Sequence, residues 1–240
     1  MRDILVVIPT YNEIENIEAI IRATISAVPE IDILIVDDNS PDYTANKVKQ
    51  LQEEFPENLF LLERAGKQGL GTAYIAGFKW ALQHEYKYIC EMDADFSHNP
   101  NDLKRLYAEC KFGCADLAIG SRYKSGVNVV NWPMNRVLLS YFASRYVQFI
   151  TRMGINDATA GFICYKRKVL EAINFDKIQF VGYAFQIEMK FKAYLEGFKI
   201  EEVPVIFTDR TKGVSKMDGS IISEAVFGVI LMKLKSLLSK

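Results

Sequence analysis

Short aliphatic runs alternate with longer stretches of helical spacing through the first half of the chain. Ile4-Leu5-Val6-Val7-Ile8 is continuous and apolar and stops at Pro9, the pattern of a strand buried on both faces. From Glu13 to Val28, residues Ile14, Ile17, Ala19, Ile20, Ile21 and Ile25 recur at helical spacing, with Asn12 placed to cap. Ile31–Val36 predicts a second strand, a helix follows from about Tyr43 to Phe55, and Leu59–Leu62 predicts a third strand. The pattern continues with a helix over Gly71–His84, a strand over Tyr86–Met92, a helix over Leu103–Phe112 and a strand over Ala115–Ser121. This alternation predicts an α/β layered fold with a mostly parallel central sheet. Ligands of such sheets gather beyond the carboxyl ends of the strands. The polar clusters Thr10–Glu13, Asp37–Asp42 and Asp93–Asn99 all lie just after predicted strands.

The second half is less regular. Thr159–Tyr165 predicts a strand containing Gly161, and Tyr183–Glu196 a helix. Ile200–Phe207 predicts a strand in which Pro204 marks an edge or a bulge. Near the end, Val226, Phe227, Ile230, Leu231, Leu234, Leu237 and Leu238 form one helical stripe, opposite Glu224, Lys235 and Ser239. That helix can pack on the domain, lie in a membrane interface or dock a partner subunit. With no repeat or linker in view, we read one domain over 1–218 and an amphipathic helix over 219–240.

Composition narrows the class. The 240 residues are 50% hydrophobic and 25% charged, which suits a globular protein with a sizeable core. A net charge of −1 provides no general attraction to nucleic acid. Cys90 and Cys164 sit in apolar runs, while Cys110 and Cys114 are spaced for one helix face without a second pair to complete a zinc site. Reduced thiols and a cytoplasmic location are expected. The apolar run at the start is too short for a signal peptide, and no stretch approaches the roughly 20 apolar residues of a spanning helix.

The chemistry concentrates after the strands. Asp93 and Asp95 stand one residue apart past a strand end, a natural clamp for a hard divalent cation that also takes phosphate and water. The alternative is a solvated acidic turn. In Val7-Ile8-Pro9-Thr10-Tyr11-Asn12-Glu13, the Tyr11 ring and the Glu13 carboxylate could hold a nucleobase, or the segment is an ordinary turn. Asp37 and Asp38 can accept hydrogen bonds from a base or ribose, while Ser40 or Asp42 caps the next helix. Gly66-Lys67-Gln68-Gly69-Leu70-Gly71-Thr72-Ala73 precedes a helix, where glycines allow close approach and the helix terminus favours anions. It lacks the ending of a P-loop.

Taken together these segments resemble the family-2 glycosyltransferases and, within them, the polyprenol-phosphate (dolichol-phosphate) mannosyltransferases. Further matching segments are Gly120-Ser121-Arg122-Tyr123, Asn131-Trp132-Pro133-Met134-Asn135-Arg136, Thr159-Ala160-Gly161-Phe162 and Arg210-Thr211-Lys212-Gly213-Val214-Ser215-Lys216. The resemblance runs from about Ile4 to Met217. It implies a GT-A type, Rossmann-like nucleotide-diphospho-sugar transferase fold, with a nucleotide half over about 1–116 and an acceptor half over about 117–218. It implies a GDP-mannose donor, a polyprenyl phosphate acceptor and a Mg²⁺ or Mn²⁺ cofactor. Asp93 and Asp95 would match the family's metal-binding Asp-x-Asp. Ser97 stands where some members place a glutamine ligand, and could ligate only through its hydroxyl or a water. Arg122, Arg136, Arg210 and Lys216 would hold the acceptor phosphate and donor diphosphate. Pro9, Tyr11, Glu13, Asp37, Asp38, Lys67, Gly69, Asp93 and Ala94 would frame the nucleotide, and Glu188 would meet the sugar or a basic residue.

One compositional feature fits a lipid acceptor. From Leu117 to Asn156 the chain has no Asp or Glu, yet carries Arg122, Lys124, Arg136, Arg145 and Arg152 among many aromatic and aliphatic residues. Such a segment suits the surface of an anionic bilayer, and the alternative is a core helix with arginines turned to water. The expectation is an enzyme peripheral on the cytoplasmic face of a membrane, with room for a small membrane partner subunit. Competing readings are glucosyl transfer from UDP-glucose to the same lipid and a non-catalytic nucleotide-sugar-binding subunit. A sugar nucleotidyltransferase would need a glycine-rich N-terminal loop ahead of a basic residue, which we do not find.

Overall fold

The computed structural model describes residues 2–182, 184–210 and 220–238, with only the backbone described for 220–226 and 238. The first half contains β1 (Ile4–Thr10), α1 (Ile17–Ala27), β2 (Ile31–Asp37), α2 (Thr44–Glu54), β3 (Leu59–Glu63), α3 (Leu70–Leu82), β4 (Tyr88–Glu91), α4 (Leu103–Lys111) and β5 (Leu117–Ser121). The second half contains β6 (Val129–Val130), α5 (Met134–Thr151), β7 (Ile163–Lys166), α6 (Arg167–Ala172), α7 (Ala184–Leu195), β8 (Ile200–Pro204), β9 (Phe207–Thr208) and α8 (Ser220–Leu238).

Seven strands form one sheet in the order β3-β2-β1-β4-β7-β5-β8, and β6 pairs with β9 apart from it. Within the large sheet only β7 runs antiparallel to its neighbours, so the predicted α/β, mostly parallel architecture holds. The continuous aliphatic runs are buried on both faces. Leu5, Val7, Leu34 and Val36 face a core shared with α3, α6, α7 and α8. Ile4, Val6, Ile8, Ile33 and Ile35 face the other core, closed by α1, α2 and α4. At Gly77 helix α3 comes so close to β1 that an added Cβ would lie 2.4 Å from Val7 Cγ1.

Several boundaries differ from expectation. β1 continues through Pro9 to Thr10. β4 pairs with β1 only as far as Val7, so Pro9 occupies an edge-like position that tolerates its missing N–H. Asn12 does not cap α1: it takes a left-handed φ of 57°, its N–H bonds Ser40 Oγ, and the helix starts after Asn16. The Ile200–Phe207 run divides at Pro204 into edge strand β8 and the short β9. Thr159–Gly161 precede β7, and Cys114 lies beyond α4, off the face that carries Cys110. The acid-free segment contains the 18-residue α5. α8 packs Val229 and Met232 into the core and leaves Phe227, Ile230, Leu231, Leu234 and Leu237 exposed. Among the described residues, no helix is long and apolar enough to cross a membrane.

Candidate active site

The acidic loop starts where β4 ends. Pairing carries the chain to Met92, whose N–H bonds Val7 O, and Asp93 follows at the strand mouth. His98 Nδ1 accepts the Asp93 N–H at 3.1 Å, and Asp95 Oδ1 accepts the Ser97 N–H at 3.0 Å. Tyr74 of α3 donates to Asp93 Oδ1, and Arg210 Nη2 lies 2.9 Å from Asp95 Oδ2. Burial raises the Asp93 pKa, and the Asp95 charge adds to it. Burial also pushes Asp95 upward, but the hydrogen bond from the Ser97 N–H and the Arg210 charge bring it below the usual carboxylate value. Burial lowers the His98 pKa; the ring stacks on Phe162 and, through the Asp93 N–H, helps shape the loop.

Among the described residues, no group of three or more His, Cys, Asp or Glu forms a protein-only metal cage. Asp93 and Asp95 nevertheless fit a hard cation that completes its shell from phosphate and water. Ser97 Oγ is buried beside them without a hydrogen-bond partner among the described residues. The two carboxylates push each other's charge apart, so a cation between them would relieve that repulsion.

A cavity of about 400 Å³ opens over this loop. Its lining includes the charged residues Asp93, Asp95, Arg122, Arg136 and Arg210. Beyond Arg136, α5 also contributes the largely apolar side chains of Leu139, Phe142, Ala143, Tyr146 and Val147. Arg136 bonds Asp209 at 2.9 Å and lies 4.0 Å from the Trp132 ring centroid. The Trp132 indole N–H, also at the cavity, has no partner among the described residues. Arg122 is buried and gripped by Asp157, with Nε 2.7 Å from Oδ2 and Nη2 2.6 Å from Oδ1.

A second group of expected residues gathers at the ends of β1, β2 and β3. Lys67 lies 5.1 Å from the Tyr11 ring centroid, and Arg64 lies 2.9 Å from Asp38. Burial raises the Asp38 pKa against the pull of Arg64. Asp37 is turned inward, its oxygens accepting from Thr10 Oγ1, Ser40 N and Ser40 Oγ, so it holds the loop. Pro9 is paired within β1, and Ala94, between the two aspartates, is buried against the core. Glu13 accepts from Asn16 Nδ2. Gly69 precedes α3 with φ 101°, where an added Cβ would lie 2.9 Å from Val181 O. Leu70 beside it reaches the cavity, linking the two groups.

Glu188 lies outside the cavity lining: its Oε2 accepts the N–H groups of Gln179 and Phe180. It does meet a base, with Lys192 at 3.6 Å. Lys216 lies outside the described residues. Sequence reading missed Asp157, although it is the carboxylate that ends the acid-free stretch. It also passed over Gln186, a polar residue in the otherwise core-facing run Ala184–Phe191.

Comparison with known proteins fits this geometry. The sequence model described as Glycosyl transferase family 2 matches residues 5–173. The chain belongs to glycosyltransferase family 2. This family-2 transferase is 48% identical over 225 residues to the polyprenol monophosphomannose synthase of Mycolicibacterium smegmatis, covering 94% of the chain and 84% of the relative. It is 44% identical over 226 residues to the undecaprenyl-phosphate mannosyltransferase of Micrococcus luteus, covering 94% and 92%. Among solved structures, it matches glucosyl-3-phosphoglycerate synthase from Mycobacterium tuberculosis, in complex with Mn²⁺, UDP and glucosyl-3-phosphoglycerate. That match has a TM-score of 0.70 at 15% identity and covers 98% of this chain and 80% of the other. A mannosyltransferase from Pyrobaculum calidifontis, in complex with GDP-Man and Mn²⁺, matches with TM-score 0.60 at 15% identity, covering 99% and 74%. The fold is that of the GT-A glycosyltransferases.

Proposed function

We propose that the enzyme transfers mannose from GDP-mannose to a polyprenyl phosphate at a membrane surface, inverting the anomeric carbon. The observation that carries this reading is the cavity's mixed lining, in which two carboxylates and three arginines are joined by apolar residues of α5. An acceptor with an anionic head on a long hydrocarbon chain needs both kinds of surface. The names of the two close relatives point the same way, and the structure solved with GDP-Man and Mn²⁺ supports the donor and metal.

The acceptor needs little activation. A phosphate monoester has a second pKa of about 6 and is largely dianionic near neutrality. No general base is therefore required, and His98 is not placed as one, because its Nδ1 is taken by the Asp93 N–H. Catalysis is then positioning and electrostatics. Arg136 and Arg122 line the cavity together with the apolar residues of α5 and would hold the acceptor phosphate, with the Trp132 N–H as a neutral donor. Arg210, beside Asp95, would meet the donor diphosphate, with Lys216 assigned the same task. Asp93 and Asp95 would hold Mg²⁺ or Mn²⁺, which supplies Lewis-acid neutralisation of the leaving group. Tyr11, Asp38 and Lys67 would frame the nucleoside. One in-line displacement inverts the anomeric carbon, so an α-linked donor gives a β-linked product.

The exposed apolar residues of α5 and α8, with Arg145, Arg152 and Lys233 nearby in sequence, would rest on the bilayer. A small membrane subunit is a further occupant for α8. Displacement of a labelled donor by GDP and by UDP, followed by transfer to a short polyprenyl phosphate on the same preparation, tests the reading. Preferential displacement by GDP with mannosyl transfer is expected. Preference for UDP with glucosyl transfer, or binding without turnover, would replace it.

A further inference from the structure

Gln186 sits in the first turn of α7 and is 2% exposed, yet it lines the cavity together with Asp93, Ala160 and Gly161. Its side chain is held from behind. The amide Nε2 donates to Glu91 Oε2, and Glu91 Oε1 accepts from Tyr165 Oη at 2.8 Å. One turn on, the buried Lys190 ammonium donates to Gln186 O at 3.0 Å and to Ala160 O at 2.6 Å. With Nε2 turned to Glu91, the other end of the amide is left to face away from that carboxyl. That end is Oε1, a buried oxygen with no hydrogen-bond partner among the described residues. Buried polar groups in proteins are nearly always paired, and an orphan at a cavity wall points to a partner brought by the ligand.

A carbonyl oxygen accepts hydrogen bonds and donates none. A dianionic phosphate, a diphosphate and a hydrocarbon chain therefore cannot pair with it. Hydroxyl groups can. The nucleoside hydroxyls belong to the group at the ends of β1, β2 and β3, whereas Gln186 shares the cavity with Asp93 and Asp95, where the sugar–diphosphate bond would lie. We propose that Gln186 Oε1 accepts a hydrogen bond from one hydroxyl of the transferred hexose and that Glu91 positions it. Gln186 is thereby a sugar-specificity residue. This rests on the glycosyl-transfer reading above.

The test uses donor affinity without acceptor, so it does not depend on reactivity. Dissociation constants for GDP, GDP-mannose and its 2-, 3-, 4- and 6-deoxy forms are measured with Mn²⁺ by displacement titration, for the wild-type enzyme and for Gln186→Met. Wild type is expected to bind one deoxy donor roughly ten- to hundredfold more weakly than the parent. Gln186→Met is expected to bind the parent as weakly as that deoxy donor, to show no further loss on it, and to bind GDP as wild type does. Glu91→Gln should reproduce part of the effect. Equal deoxy profiles in wild type and Gln186→Met would overturn the inference. If Gln186→Met loses GDP binding through misfolding, the wild-type profile decides alone, and a flat profile across all four positions overturns it. If wild type prefers UDP-glucose, the donor reading fails, and the same comparison with deoxy-glucose donors decides the role of Gln186 separately.

Discussion

Asparagine at position 157 tests whether charge holds the positive wall of the cavity in place. Asp157 is fully buried, and its carboxylate accepts from Arg122 N at 2.9 Å, Nε at 2.7 Å and Nη2 at 2.6 Å. Behind it, Glu202 accepts the Asp157 N–H at 2.9 Å and the Asn156 N–H at 2.9 Å. Asparagine has the same shape and one oxygen fewer. In either orientation an amide NH₂ faces an Arg122 N–H, and the 8%-exposed arginine keeps its charge without a carboxylate. Removing one member of a buried ion pair costs about 3–5 kcal/mol. For a chain of this length each kcal/mol moves Tm by about 2–4 °C, so Asp157→Asn should melt roughly 6–20 °C lower. Burial alone would raise the Asp157 pKa, but the Arg122 charge and hydrogen bonds hold it below the usual value. A folded-state pKa below the unfolded one gives stability that is present above the unfolded value of about 3.9 and fades as pH falls through the folded value. The gap between wild type and variant should therefore stay constant around neutrality and narrow only in acid below about pH 4. Thermal denaturation followed by circular dichroism measures it. A drop under about 2 °C at neutral pH, or a gap that closes between about pH 8 and 6, would refute the reasoning.

Other substitutions probe the remaining parts. Asp95→Asn should cut turnover by at least about a hundredfold and cost about 1 kcal/mol or less, since its Arg210 partner is partly solvated; wild-type turnover with metal present would defeat the metal assignment. Arg136→Ala should lower kcat/KM for the lipid acceptor by roughly ten- to hundredfold with GDP affinity nearly unchanged; an unaltered acceptor dependence would count against the phosphate role. Gly77→Ala should cost about 1–3 kcal/mol, because its Cβ would lie 2.4 Å from Val7 Cγ1; an unchanged Tm would mean that α3 yields there. The full chain should co-sediment with anionic vesicles at low salt and release at high salt. A chain ending at Gly219 tells whether α8 contributes, and no low-salt binding by the full chain would end the membrane reading.

The architecture of the first half was legible because each buried parallel strand is an unbroken aliphatic run followed by a polar cluster. Ile4–Ile8 and Ile31–Val36 carry that signal in full, and the acidic loop after Glu91 follows it. The second half was harder. α5 carries apolar residues around most of its circumference, with Arg136 and Arg145 its charged positions, because one side faces the cavity while apolar side chains elsewhere stay exposed, so its periodicity is weak. The short β6–β9 pair has too few residues to leave a pattern. Asp157 and Gln186 escaped for a different reason. Each acts through a partner distant in sequence, Arg122 in one case and Glu91 in the other, and only folding reveals that pairing. Asp37 illustrates the converse, since a carboxylate well placed for ligand was already committed to Thr10 and Ser40.

The most direct test of mannosyl transfer at this cavity is the product itself. Purified enzyme, Mg²⁺ or Mn²⁺, ¹³C-labelled GDP-mannose and a short polyprenyl phosphate in anionic vesicles are combined, and the lipid fraction is resolved by mass and by NMR of the anomeric carbon. The account predicts a β-linked mannosyl phospholipid formed in equal amount with GDP, with its yield lost in Asp95→Asn. An α-linked product, a glucosyl lipid formed only from UDP-glucose, or GDP released without lipid product would contradict it.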